Sequence, residues 1–126
     1  MVKEVLAALL LIALLVAAIF NIGIVGKLTD DITDTVEQAV YAAESGDWDR
    51  AIENAEKAVS LWKSKDSYTH IVLRHSQIDT VSEALYDFLL EAYDQNSERL
   101  SAAAEAAMYH LDSVAQMERV RLGSVF

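Results

Sequence analysis

AESGDWDRAIENAEKAV, residues Ala43 to Val59, places a glycine and an aspartate between two stretches rich in alanine and charge. Gly46 reads as a helix stop, with Ser45 or Asp47 as the next cap. Beyond it, Trp48, Ala51, Ile52, Ala55, Ala58, Val59 and Trp62 recur at three- and four-residue steps. That spacing is the apolar face of a helix packed on one side. Before it, Leu28, Ile32, Val36, Ala39, Val40 and Ala43 form a second stripe of the same period. Two striped helices around a tight turn predict an antiparallel hairpin.

The pattern continues toward the C-terminus. Residues 63–67 form a polar connection, and a third helix is expected from about Tyr68 to Tyr93. Its seam is Ile71, His75, Ile78, Ser82, Leu85, Leu89 and Ala92, flanked by Val81 and Phe88. Gln95-Asn96-Ser97 is the next turn. The fourth helix starts near Glu98, carries Leu100, Ala104, Ala107, Leu111 and Val114, and ends at Gly123. A faint repeat aligns Asp49–Val59 with Glu98–Met108, matching Arg50 to Arg99, Ala55 to Ala104 and Ala58 to Ala107. Two related hairpins would produce it. No strand-like alternation competes.

Toward the N-terminus, VLAALLLIALLVAAIFNIGIVG runs from Val5 to Gly26 without a charge. As a helix it reaches roughly 30 Å, the thickness of a bilayer core. Apolar side chains surround it on every side, so it reads as a transmembrane helix. Val16-Ala17-Ala18 offers the small residues of a cleavage site, but the apolar run continues through Ile19, Phe20, Ile22, Ile24 and Val25. That exceeds the usual length of a signal-peptide core, so an uncleaved signal anchor is expected. The short N-terminal tail suits a cytoplasmic start and places the helical domain outside a cytoplasmic membrane. Basic residues hardly differ across the span, and the opposite topology stays open. The expected architecture is all-α: a transmembrane anchor over 1–27, then an acidic antiparallel four-helix domain over 28–126. Thr29, Asp30 and Asp31 mark a cap or a short break between them.

The chain has 126 residues, no proline, no cysteine and a net charge of −10. Without proline, long helices run uninterrupted. Without cysteine there is no disulfide, thiol nucleophile or Cys-based zinc site. Residues 28–126 hold 19 of the 20 acidic residues but 8 of the 10 basic ones. Such a surface repels nucleic acid, which requires basic patches, and anionic headgroups.

RHSQID, Arg74 to Asp79, carries the one constellation with chemical content. His75 and Asp79 are four apart, hence neighbours on a helix face. A metal site would need further ligands, and a catalytic dyad would need a nucleophile. The favoured reading is structural: a latch between hairpins made of Trp48, Trp62, His75 and Asp79, with His75 partly buried in the seam. Metal binding at His75 and Asp79 is the weaker reading. Tyr86 and Tyr93, seven apart, line a groove or a helix edge. Ser76, Ser82 and Ser113 lack a nucleophile elbow, and no phosphate loop, His-Glu-x-x-His or EF-hand spacing occurs. No catalytic residue, cofactor site or enzyme activity is therefore expected.

Residues 43–59 resemble one helical hairpin of a tetratricopeptide repeat, without the closing proline of that family. A wider resemblance rests on the order of an apolar span, an acidic helix, Gly46-Asp47-Trp48, Trp62, His75-x-x-Ile78-Asp79, Glu118 and a terminal Phe126. In this order the chain resembles the domain-of-unknown-function 4363 family, small single-span proteins of clostridia and related bacteria. Gln77 stands where members often have glutamate, and Ser124-Val125 where they often have Asn-Ile. The resemblance implies a bacterial single-span protein with a helical domain and a membrane partner. The expected function is a non-enzymatic membrane-anchored interaction module, an accessory subunit or scaffold of an envelope complex. The alternative is a small-ligand or metal sensor centred on His75 and Asp79. Self-association is a further expectation: Gly23 and Gly26 could pack between spans, although Gly-x-x-Gly is not the usual dimer spacing, and a second copy could cover exposed apolar stripes of the domain.

Overall fold

The computed structural model describes residues 1–125, so Phe126 of the terminal motif lies outside the described residues. Five helices succeed one another: α1 (Val2–Glu44), α2 (Trp48–Ser64), α3 (Asp66–Val72), α4 (His75–Tyr93) and α5 (Ser97–Val125). The main contacts run α1 to α2, α2 to α4, α4 to α5 and α5 to α1. This closes a ring of four antiparallel helices, with the short α3 across one end. All-α and hairpin-on-hairpin, it matches the architecture expected from the stripes.

Each of the four long helices gives the core one seam at three- and four-residue steps. On α1 the buried positions include Val25, Leu28, Ile32, Val36, Ala39 and Ala42. On α2 they are Ala51, Ala55, Ala58 and Trp62; on α4, Ile78, Val81, Leu85, Phe88 and Ala92; on α5, Leu100, Ala104, Ala107, Leu111 and Val114. That spacing keeps one face turned inward along a gently supercoiled bundle. The α2 seam is mostly alanine, and most of the bulkier buried residues lie on the other three long helices. Phe88, Ile32 and Leu85 are the bulkiest fully buried side chains.

The two hairpin turns are built alike. Gly46 at φ +79 and Gln95 at φ +54 both adopt the left-handed conformation. The next residue caps the adjoining helix: Asp47 Oδ1 accepts from the Arg50 N–H at 3.3 Å, and Asn96 Oδ1 from the Arg99 N–H at 3.0 Å. The Asp47 N–H reaches back to the Ala42 carbonyl and the Asn96 N–H to the Glu91 carbonyl. One offset relates all these pairs, the same that relates Arg50 to Arg99. The faint sequence repeat thus coincides with a repeated turn geometry.

Two boundaries differ from expectation. No break separates anchor from domain, because α1 is one helix of 43 residues. The Thr29 and Thr35 hydroxyls donate to the carbonyls of Gly26 and Asp31, within the helix, instead of capping a new start. The division between residues 27 and 28 therefore falls inside a continuous element, and packing against the bundle begins earlier, at Asn21 to Val25. The third expected helix is instead two. Leu73 and Arg74 are extended, and the Gln77 side chain accepts from the Arg74 N–H at 3.1 Å. A side-chain cap at Gln77, rather than proline or glycine, starts α4. The corner buries Leu73 and leaves Ile71, expected in the seam, 82% exposed.

Candidate functional site

Extending the α1 and α5 seams by one step toward the end crossed by α3 reaches polar residues. Four positions before Val25 comes Asn21, and four after Val114 comes Glu118. Helix α1 brings the first and antiparallel α5 the second, so the two meet. Asn21 Nδ2 donates to Glu118 Oε2 at 2.8 Å. The Tyr68 hydroxyl of α3 donates to Asn21 Oδ1, closing the amide between two partners. Glu118 is only 3% exposed. Its Oε1 has no hydrogen bond, although the Arg121 guanidinium stands 3.3 Å away as an ion pair. Burial, and then the charge of Glu118, holds the Tyr68 hydroxyl above the usual phenol range, so it stays a donor.

A buried carboxylate needs compensation, since an unpaired charge in a low-dielectric interior is costly. Asn21 and Arg121 supply it here, and Tyr68 fixes the amide. The node ties α1, α3 and α5 at the level where the apolar segment leaves the bundle. Polar groups at seam positions specify register, because a one-turn slip would set them against apolar partners. Glu118 appeared in the sequence only as a family-like position. The seam arithmetic of α5 was the signal that would have singled it out, and the same step identifies Asn21.

The residues singled out from sequence do not assemble. Trp62 is buried, and its indole N–H donates to the Ser82 hydroxyl at 2.9 Å, joining α2 to α4. Trp48 is half-buried at the start of α2. His75 and Asp79 are both exposed, not in the seam. His75 occupies the first position of α4, at the end of the bundle, where no facing turn remains to cover it. Among the described residues no hydrogen bond or ion pair joins His75 to Asp79. The His75 ring instead meets the His70 ring edge-on at 5.8 Å, while His70 pairs with Asp66 at 3.2 Å. No group of three or more metal-ligating side chains gathers among the described residues. The partner that meets Trp62 is therefore Ser82, already in the expected seam, rather than His75. Tyr93 donates to Glu56 at 2.8 Å, and the Lys63 ammonium lies 5.0 Å over the Tyr86 ring; both contacts close the α2–α4 edge.

Among the surface clefts of the described residues, two stand out by volume. One of about 660 Å³ lies between α1 and α2 near the Gly46 turn and includes Asp34, Glu37, Tyr41, Asp47 and Arg50. The other, about 430 Å³, runs between α4 and α5. Its lining includes Ala102, Ala103 and Ala106, the exposed Leu90, and the acids Glu83, Asp87 and Glu91.

A family model described as a domain of unknown function (DUF4363) matches residues 19–125. The match starts two residues before Asn21 and takes in the whole bundle. No curated protein and no solved structure matches the chain.

Proposed function

The chain belongs to the DUF4363 family, and from that premise we propose that it is a non-enzymatic, membrane-anchored interaction module serving an envelope complex. The observation that carries this reading is the continuity of α1. Its first half is long and apolar enough to cross a membrane, and none of that segment is buried by the rest of the chain. Its second half is a core element of the bundle. A soluble helix so apolar would be covered by its own protein, and this one is not. Of the expected span over residues 5–26, the part up to Phe20 precedes the first bond to the bundle at Asn21, and the bundle projects from it, on the extracytoplasmic side in the proposed topology.

The bundle offers a partner two clefts with acidic rims. The α4–α5 groove is the better seat for a helix, because its alanines permit close approach and Leu90 adds apolar contact. Glu83 and Asp87 along its edge favour a partner helix bearing Lys or Arg, while Glu91 already faces Arg99 at 4.0 Å. The sensor reading would need His75 and Asp79 to converge, and both point into solvent without a shared contact.

Co-purification from native membranes tests the proposal. The wild-type chain, mildly solubilised, is expected to elute with a second membrane protein. Ala103→Trp, which fills the groove, is expected to release that protein while the bundle keeps its helicity. A chain that elutes alone and monomeric from native membranes would overturn the reading.

A further inference from the structure

The end of the bundle at Asn21 is chemically unlike the rest of the domain. It is formed by α3, the Leu73–Arg74 corner and the last turns of α5. It presents Lys65, Arg74, Arg119 and Arg121. Of the acids in this layer, Glu118 is buried against Asn21 and Arg121, and Asp66 stands 3.2 Å from the His70 ring. Asp79 stands about one turn higher on α4. The opposite end is acidic on balance, since its turns carry Glu44, Asp47, Asp49, Asp94 and Glu98 against Arg50 and Arg99. The negative charge of the domain is thus displaced along its axis, away from the end where the apolar helix emerges. Large apolar groups also lie open in the basic layer: Ile71 is 82% exposed and Val120 68%.

The geometry of α1 fixes where this end must lie. The segment from Val5 to Phe20 measures about 24 Å at 1.5 Å per residue. A bilayer core is about 30 Å thick. The next residue, Asn21, is already tied to Tyr68 and Glu118. Because α1 has no break, the bundle cannot swing away on a linker. An apolar segment that short draws the adjoining end of the bundle into the interface.

We propose that the Asn21 end of the bundle is a lipid-binding face, seated on anionic phospholipid headgroups of the membrane that holds the anchor. Lys65, Arg74 and Arg119 meet the phosphates, and Ile71 and Val120 enter the acyl boundary between them. The reach of long basic stems past apolar neighbours suits this layer. Each basic group near an anionic surface shifts the seated equilibrium about fivefold. The overall acidic charge keeps the remainder of the bundle off the same surface. This inference rests on the anchor reading above.

The chain lacks cysteine, so Ile71→Cys gives a single labelling position. The full-length variant, carrying an environment-sensitive dye, is reconstituted into phosphatidylcholine vesicles with or without phosphatidylglycerol. Retention after an alkaline carbonate wash is scored first, then quenching by neutral acrylamide. The expected result is retention in both, with the dye shielded several-fold more in the anionic vesicles. Combining it with Lys65→Glu, Arg74→Glu and Arg119→Glu is expected to abolish that difference without loss of helicity. A Tyr41→Cys label at the far end is expected to stay open in both. A retained chain whose residue-71 dye is open in both vesicles, or shielded equally whatever the lipid or charge reversal, overturns the lipid-binding face. Shielding that appears only at high protein-to-lipid ratio assigns the face to another copy of the chain and overturns it too. Loss of the chain in the carbonate wash removes the anchor itself, a different failure.

Discussion

The two halves of α1 are continuous in backbone and opposite in surroundings. From Val2 to Phe20 its side chains are uncovered, with Leu6, Leu10 and Leu14 all about 60% exposed. From Val25 to Ala43 the same helix buries one stripe and turns Asp30, Asp31, Asp34 and Glu37 outward. Secondary structure is identical; the angular spread of apolar residues is different. A full ring of them suits hydrocarbon on all sides, and a single stripe suits one packed face with water behind. Asn21 marks the handover, as the first side chain of α1 to bond with another helix of the bundle.

The largest expected effect strikes only the first half. Leu10→Arg with Leu14→Arg costs about 6–8 kcal/mol of insertion if that half lies in lipid. The protein should leave the carbonate-washed membrane fraction while its thermal unfolding transition is kept; unchanged retention would break the contrast. The mirror experiment is Ile32→Ala, which opens a cavity in the packed half at a cost of about 2–5 kcal/mol. Denaturant unfolding should show that loss, with membrane retention unaffected. At the handover, Asn21→Ala withdraws a donor from buried Glu118 and should cost about 1–3 kcal/mol. Hydrogen exchange would localise the loss to α3 and the end of α5 rather than the Gly46 turn. The smallest effect is a gain. A methyl group at Gly26 meets no atom within 4 Å, so Gly26→Ala should stabilise the junction by up to about 1 kcal/mol through helix propensity. A destabilising result in the unfolding curve would mean that this part of α1 is not continuously helical.

The handover is also where the sequence was hardest to read. The stripes at Leu28, Ile32 and Val36, at Ala51, Ala55 and Ala58, and at Leu100, Ala104 and Ala107 were plain, because many small burial energies share one period. The Gly46 turn was plain because its backbone conformation favours glycine. Thr29-Asp30-Asp31 looked like a cap, since its residue types suit one. Within a helix held by packing on α2 and α5, the threonines bond to the preceding turn instead and the aspartates face outward. Local chemistry permitted a cap; tertiary contact removed the need for one. The break at Leu73–Arg74 was hidden for the converse reason. It carries no helix breaker, and its cap comes from Gln77, a good helix former. That break sets where the bundle ends and so leaves His75 uncovered, although period alone put it in line with Ile78. The Asn21–Glu118 pair required joining two distant seams, and the single-helix patterns do not say which ends meet.

An unbroken α1 also couples angles across the molecule. From Asn21 to Ser45 the helix is about 35 Å long. A tilt of about ten degrees in the span would carry the Gly46 turn sideways by about 6 Å, with no hinge to absorb it. In the proposed anchored state, thinning or stretching of the bilayer would therefore register as a lateral sweep of the acidic tip, and the protein would behave as a lever with its fulcrum at the lipid surface.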